Sequence, residues 1–353
     1  MELFDLMAEG EHEQLVLWTE PRFGYKGIIA LHDTSLGPGL GGTRFWNYRT
    51  EHEAVLDALR LARGMTYKAA VTGLALGGGK SVIWGDPKGA DRELIFRAHG
   101  RAIESLGGRY ITAEDVGTSP QDMAYVALET EHVVGLEGTS GDPSPVTAYG
   151  VYRGIKACVR ARYGDESLQG LHVAVQGLGS VGYHLCEDLA AEGAKLSVTD
   201  IDSDRIERVV DEFDADAVVP DAIFDVDADV FAPCALGAVV NDETLPRLKV
   251  DIVAGSANNQ LESTIRHGPA LHEAGILYAP DYVINAGGVI NVYGELQGWT
   301  KEQSRDKAGE IYDTLLRIFT LAEAEGVSPG EAAGRIADQR IQDTRHLNRT
   351  YIP

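Results

Sequence analysis

The sequence predicts an α/β protein of two domains around a cleft, and three observations carry that prediction. The chain has 353 residues, 44% of them hydrophobic, and at roughly 150 residues per domain that provides about two cores. Apolar runs of strand length alternate with helical patterns through most of the chain. One of those runs ends in a glycine-rich turn that opens a helical pattern, the signature of a doubly wound parallel sheet.

In chain order, Gly27-Ile-Ile-Ala-Leu31 reads as a strand, and Val55, Ala58, Leu59 and Ala62 recur at helical spacing from Glu51 to about Arg63. A Gly/Ser/Pro-rich passage from Gly135 to Pro145 marks the domain boundary. The first domain is therefore drawn as 1–135 and the second as 136–329, with residues from about 330 to 353 returning to the first. A helix over Thr147–Arg162 leads to the short apolar run Leu171–Gln176, a buried parallel strand. Further strand-like runs follow at Lys195–Asp200, Val230–Pro233, Ile252–Gly255 and Ile276–Pro280. The helix-rich stretch from Ser304 to Gln342 is expected to pack across both domains.

Composition narrows the function. With 31 Lys and Arg against 54 Asp and Glu, the formal charge of -23 repels nucleic acid and acidic membrane surfaces. The start lacks the pattern of a secretory signal, and no stretch approaches the roughly 18 apolar residues of a membrane span. Three scattered cysteines, Cys158, Cys186 and Cys234, offer neither a disulfide framework nor a CxxC metal site, so a cytoplasmic location without a bound metal is expected. The sequon Asn348-Arg-Thr350 reads as a chance match. HExxH and GxSxG motifs do not occur, which argues against metal-dependent and serine hydrolases.

After the strand ending at Gln176 comes Gly177-Leu178-Gly179-Ser180-Val181-Gly182, then a helical run, and an acid, Asp200, closes the next strand. Gly177 permits the tight turn, Gly179 lets a pyrophosphate approach the backbone, and Gly182 allows close packing of helix on strand. This is a Rossmann-type fingerprint. Asp200 is placed for a ribose 2'-hydroxyl and would repel a 2'-phosphate, which favours NAD over NADP, although Arg205 is close by.

A second glycine strip, Gly73-Leu-Ala-Leu-Gly-Gly-Gly-Lys-Ser81, misses the P-loop spacing by one position. It offers exposed backbone amides beside Lys80, with Lys68 twelve residues earlier and Asp115 downstream. Only nine of the 31 basic residues are lysines, which draws attention to those two. Together these groups could hold and deprotonate a small carboxylate substrate.

Seven motifs stand in one order: Gly37-Pro-Gly-Leu-Gly-Gly-Thr-Arg44, Arg63-Gly-Met-Thr-Tyr-Lys68, Gly77-Gly-Gly-Lys80, Ala113-Glu-Asp-Val-Gly117, Pro143-Ser-Pro-Val-Thr-Ala-Tyr-Gly150, Ala257-Asn-Asn-Gln260 and Asn285-Ala-Gly-Gly288. In these the chain resembles the Glu/Leu/Phe/Val dehydrogenases over nearly its whole length, most of all the leucine-type members. The resemblance implies an N-terminal catalytic domain, a dinucleotide domain, and C-terminal helices returning to the first. It also implies a homo-oligomer, octamer or dimer, and reversible NAD-dependent deamination of an L-amino acid to a 2-oxo acid and ammonia.

By the same resemblance Lys68 binds the substrate carboxylate, Lys80 is the general base and Asp115 relays protons at the substrate nitrogen. Burial and the Lys68 cation are expected to lower the Lys80 pKa. Leu40, Gly41, Gly42, Met65, Gly77, Gly78, Ala113, Asn259, Val289 and Val292 fall at substrate positions, and Thr147 and Asn285 at cofactor positions. Glutamate-type members carry lysine where this chain has Leu40, so an acidic side chain would be buried without a counter-charge. Ala113 and Val289 favour leucine, isoleucine and valine, whereas Thr43-Arg-Phe-Trp46 departs from the commonest leucine-type wording and leaves valine or an aromatic substrate open. A non-catalytic NAD-sensing protein of the same fold is the alternative from another class.

Overall fold

The computed structural model describes residues 2–88, 91–136 and 141–346. The sequon Asn348–Thr350 and residues 137–140 of the boundary passage lie outside them. The chain forms two units, one of Met1–Gly141, Glu295–Gly298 and Ala337–Pro353, the other of Asp142–Gly294 and Trp299–Ile336.

The first unit contains α1 (Leu3–Glu9), β1 (Gln14–Glu20), β2 (Tyr25–Leu31), β3 (Gly39–Trp46), α2 (Glu51–Val71), β4 (Gly77–Trp84), α3 (Arg92–Glu104), β5 (Tyr110–Glu114) and α4 (Pro120–Ala127). Its five strands run in the order β1-β2-β4-β3-β5. β1 and β2 are antiparallel, as are β2 and β4, while β3 is parallel to both β4 and β5. Side chains alternate across this sheet, so it builds two cores. Tyr25, Ile29, Phe45, Ile83 and Tyr110 pack against Phe96, Ile103 and Met123 of α3 and α4 on one face. Ile28, Ala30 and Val82 meet Ala54, Ala58, Leu59 and Ala62 of α2 on the other.

Thr50 caps α2 by accepting from Glu53 N, and Glu51 and Glu53 complement the helix dipole. The helix continues two turns beyond the expected end at Arg63. Gly64 and Thr66 weaken its periodic pattern, yet Thr66 is fully buried where the helix crosses Gly78. Packing overrides the propensity penalty. The last carbonyls of α2 are held by Arg340, whose guanidinium donates to Ala69 O, Ala70 O and Leu74 O at 3.1, 2.7 and 2.9 Å.

The second unit contains α5 (Ser144–Tyr163), β6 (His172–Gln176), α6 (Ser180–Ala191), β7 (Lys195–Thr199), α7 (Ser203–Phe213), β8 (Asp216–Ala217), β9 (Val230–Pro233), β10 (Ile252–Val253), α8 (Thr264–Glu273), β11 (Leu277–Tyr278), α9 (Asp281–Ile284), α10 (Gly287–Gln297), α11 (Lys301–Gly309), α12 (Ile311–Glu325) and α13 (Pro329–Arg345), of which α10 and α13 run on into segments that belong to the first unit. All six strands are parallel in the order β11-β10-β9-β6-β7-β8. Chain order reverses direction between β6 and β9. That switch point is where a doubly wound sheet binds its ligand, and the glycine fingerprint leaves β6 there. No helix of the described residues is long and apolar enough to cross a membrane.

Candidate active site

The chemistry of the first unit gathers on the face of its sheet that α2 covers. Alternation places Leu40, Gly42 and Arg44 of β3, Gly78 and Lys80 of β4, and Ala113 of β5 on that face. Registers align them: Ala30 pairs with Lys80, Leu40 with Gly78, and Gly42 with Ala113. On α2, Asp57, Met65 and Lys68 recur at helical spacing along one flank, with Met65 and Lys68 half-buried. Lys80 is 6% exposed, which excludes a solvated surface lysine.

Asp115 follows the end of β5 and turns back over Gly42. A Cβ at Gly42 would stand 2.8 Å from Asp115 Cβ and 2.6 Å from Glu114 O, so only glycine admits this path. Thr118 supports the turn, its hydroxyl accepting from Asp115 N at 2.9 Å. The result is an ion pair of 2.7 Å between Lys80 Nζ and Asp115 Oδ2. Arg44 Nε reaches the same oxygen at 3.1 Å, while its Nη1 lies 2.9 Å from Asp57 Oδ2. Tyr48 donates to Asp57 from behind.

Burial pulls the Lys80 pKa below the ordinary lysine value; Asp115 opposes the shift and Arg44 reinforces it. Burial would raise the Asp115 carboxyl, but Lys80 and Arg44 together hold it below the usual carboxylate range. The pair is thus a carboxylate held ionised beside an amine whose charged form burial disfavours. The assisting cation is Arg44, which the sequence reading leaves out of the site. Its place two residues after Gly42 on the same strand face is the signal that could have found it.

The glycine strip differs from expectation. It is the buried start of central strand β4, and its amides are committed rather than exposed. Gly77 N donates to Pro38 O at 2.9 Å and Gly78 N to Asp33 O at 3.1 Å. Gly78 serves α2 instead, since a Cβ there would meet Thr66 Oγ1 at 2.1 Å and Ala62 O at 2.2 Å. Gly41 and Gly77 belong to the opposite face, where Gly41 O accepts from the Tyr110 hydroxyl. That face carries a buried polar cluster: His99 Nε2 lies 3.0 Å from both Thr43 Oγ1 and Ser81 Oγ, and its Nδ1 lies 2.7 Å from the Tyr25 hydroxyl.

In the second unit the fingerprint has the geometry its glycines suggest. Gly177 has φ +99°, and a Cβ there would meet Ala235 Cβ at 2.6 Å. A Cβ on Gly182 would lie 2.0 Å from Gly177 O, whereas at Gly179 it would find only Arg205 Nη1, at 3.9 Å. Space is therefore left beside the α6 N-terminus, where a pyrophosphate would sit. Asp200 is 7% exposed in its side chain and is fixed by Leu178 N at 2.6 Å and Asp202 N at 3.0 Å. Ser180 is exposed and donates to Asp142 at 3.0 Å, and Val181 is half-buried.

Among the buried side-chain atoms without a protein partner are Gln176 Oε1 and Thr199 Oγ1 at the carboxyl ends of β6 and β7, and Asn285 Oδ1 just after α9. Asn285 spends its amide on Ser256 O at 3.1 Å and Asn258 Oδ1 at 2.8 Å, leaving Oδ1 to accept from a ligand. Thr147 approaches the same segment, since a Cβ on Gly287 would stand 2.5 Å from Thr147 Cα. Asn259 is exposed with φ +51°. Val289 and Val292 share one side of α10, buried and half-buried. The glycine fingerprint, Asp200, Thr147 and Asn285 fit a dinucleotide.

Among the described residues one three-donor cluster, Asp242, Glu262 and His267, has metal-like spacing. Ser263 N donates to His267 Nδ1 at 3.0 Å, so the neutral ring carries its proton on Nε2, 3.1 Å from Asp242 Oδ1. No ring lone pair remains for a metal. Cys158 and Cys186 are buried free thiols, and burial raises the Cys234 thiol, which makes it a packing group and not a nucleophile.

A parallel sheet with a dinucleotide fingerprint, in a chain that also carries a buried lysine–carboxylate pair, defines an NAD(P)-dependent oxidoreductase. Comparison with known proteins makes the class specific. Residues 18–132 match the Glu/Leu/Phe/Val dehydrogenase dimerisation domain, and residues 197–347 match the Glutamate/Leucine/Phenylalanine/Valine dehydrogenase model. The chain is 55% identical to a leucine dehydrogenase of Thermoactinomyces intermedius, covering 100% of this chain and 97% of that protein. It is 48% identical to a valine dehydrogenase of Streptomyces albus, over 96% of this chain and 94% of that one. The crystal structure of L-tryptophan dehydrogenase from Nostoc punctiforme superposes with a TM-score of 0.89 at 45% identity, covering 98% of this chain and 100% of that one. The chain belongs to the Glu/Leu/Phe/Val dehydrogenase family, and it is an amino-acid dehydrogenase.

Proposed function

We propose that the protein catalyses the reversible oxidative deamination of a branched-chain aliphatic L-amino acid, leucine with valine and isoleucine, using NAD. The observation that carries this reading is the buried Lys80 amine paired at 2.7 Å with Asp115 on a sheet face whose neighbouring side chain is Leu40. In the balanced reaction, amino acid, NAD and water give 2-oxo acid, ammonium, NADH and a proton. Gly177, Gly179, Gly182 and Asp200 would hold NAD, which when bound would supply the acceptor for the hydride of the substrate α-carbon.

Lys68, on the α2 flank, is assigned the substrate carboxylate; a compact ammonium suits that partner. Asp115, held ionised, takes the proton that frees the substrate amine for oxidation to an iminium. Lys80, its pKa lowered by burial, then takes a proton from the water that adds to the iminium carbon. Asp115 returns a proton to nitrogen; the carbon–nitrogen bond breaks as the carbinol hydroxyl gives its proton to the departing ammonia, which leaves as ammonium, and Lys80 releases its proton to solvent. A sensor would have no use for an amine kept ready to lose its proton at the cost of burial.

Leu40 and Ala113 offer a substrate side chain only aliphatic surface, and Val289 and Val292 are given the same role. A glutamate side chain would lose its solvation without gaining a cation, at a cost of several kcal/mol. Selection among aliphatic substrates rests on about one methylene, worth roughly 1–3 kcal/mol, so overlapping activity is expected. The likeness to a tryptophan dehydrogenase favours an aromatic substrate as the second reading. Asp200, fixed by two backbone amides, supports NAD over NADP. The match to a dimerisation domain supports a homo-oligomer, octamer or dimer, and free thiols support the reducing cytoplasm.

The test is NADH formation at alkaline pH with leucine, valine, phenylalanine, tryptophan and glutamate in parallel, repeated with NADP. Fastest turnover of an aliphatic substrate with NAD is expected. Best turnover of an aromatic substrate would keep the mechanism and overturn the pocket assignment. Lys80→Ala is expected to abolish turnover while NAD still binds; full activity in that variant would overturn the role of Lys80.

A further inference from the structure

The Lys80–Asp115 pair has a third member that the proposed reaction does not use. Arg44 and Lys80 both donate to one atom, Asp115 Oδ2, at 3.1 and 2.7 Å. Arg44 is held from the other side by Asp57 at 2.9 Å, and Asp57 is held by Tyr48. Two cations thus compete for one acceptor, and the competitor that cannot be deprotonated is clamped in place. We infer that Arg44 is a positioning residue of the site: it holds the Asp115 carboxylate against Gly42 and, by sharing Oδ2, sets how readily Lys80 releases its proton. This inference rests on the proposed base role of Lys80.

Beyond its partner Asp115, the charged group that acts most strongly on Lys80 is Arg44. Facing Lys80 are Arg44 from β3, Asp115 from the end of β5, and Asp57 from α2, with Tyr48 behind Asp57 and Glu114 just before Asp115. Lys68 lies farther along the α2 flank, and His99, Tyr25 and Tyr110 occupy the opposite face of the sheet. Arg44 disfavours the Lys80 ammonium and Asp57 favours it. Neutralising the two should therefore move Lys80 in opposite directions, a pattern that loss of packing would not produce.

The experiment compares full-length parent, Arg44→Gln, Arg44→Lys and Asp57→Asn by two readouts. The first is the pH profile of kcat/KM for leucine oxidation. The second, independent of turnover, is the pH dependence of Lys80 labelling by an amine-reactive reagent, resolved by peptide mass spectrometry. For Arg44→Gln the Lys80 midpoint should rise by about one pH unit, a tenfold smaller neutral fraction on the acid side. Asp57→Asn should lower it, and Arg44→Lys should lie near the parent with a reduced plateau. Unmoved midpoints, or shifts in the same direction for Arg44→Gln and Asp57→Asn, would overturn the inference. A parent that turns over no amino acid but shows the opposed labelling shifts would sustain the role of Arg44 and remove the proposed reaction. Where Arg44→Gln fails to fold, Asp57→Asn alone decides by the sign of its shift.

Discussion

Gly42→Ala tests whether the approach of Asp115 to Lys80 is set by the missing side chain between them. The new Cβ would lie 2.6 Å from Glu114 O and 2.8 Å from Asp115 Cβ. Ordinary contact needs roughly 3.3–3.5 Å, so the end of β5 must retreat by about 0.7 Å. A shift of that size opens the 2.7 Å ion pair beyond good hydrogen-bonding distance. Misplacement on the order of 1 Å can cost about a hundredfold, so kcat should fall roughly 10- to 100-fold. Overpacking of this kind costs about 1–3 kcal/mol of stability, which leaves a folded protein to assay. The assay is steady-state NADH formation together with thermal unfolding. Gly334→Ala is the control: it lies within α13 with nothing near its Cβ position, and should add about 0.5–1 kcal/mol of stability without touching activity. A folded Gly42→Ala protein within about twofold of the parent in kcat/KM would refute the reasoning.

Three other outcomes are expected. Burial lowers His32 to about 4 and His99 to about 3. Below the unfolded value of 6.5 the unfolded chain binds more protons at both positions, so stability is lost as pH falls. The loss should be about 1.4 kcal/mol per pH unit for each, up to about 3 kcal/mol for His32 and 5 for His99. Denaturant unfolding from neutrality to about pH 5 measures it, and a flat profile would contradict it. Asp200→Ser beside Arg205 should improve NADP use relative to NAD by about tenfold or more, read from the ratio of kcat/KM values. Gly182→Ala forces a Cβ to within 2.0 Å of Gly177 O; NADH binding followed by fluorescence should weaken while Lys80 labelling in the first unit stays as in the parent.

The second unit was largely legible because five of its parallel strands fall in short apolar runs followed by turns, and its glycines have separate steric duties; β8, the exposed pair Asp216–Ala217, has no such run and was missed. The first unit was less so. Its sheet mixes parallel and antiparallel pairs, an order that no local pattern encodes. Gly77–Gly79 resembled a loop because glycines carry no alternating side chains, yet they are buried in β4, where the absence of a Cβ lets α2 and Tyr110 close on either face. Lys80 and Asp115 were named from their motifs, as were Gly41 and Gly77; a motif lists positions without faces, and strand alternation sets these two glycines on the opposite face from Lys80. Arg44 escaped notice because its meaning lies in Asp57 and Asp115, 13 and 71 residues away in sequence.

The hold of Arg340 on the last carbonyls of α2 also has a place in time, because its two halves are synthesised far apart. The helix that carries Met65 and Lys68 is made early, but the guanidinium that caps it arrives about 270 residues later. At roughly 5–20 residues per second that is an interval on the order of 10–50 s. Through it Ala69 O and Ala70 O have the amides of Leu74 and Gly73 but no guanidinium. The clamp on the helix that carries Met65 and Lys68 is thus a contact that cannot form until the second unit has been translated.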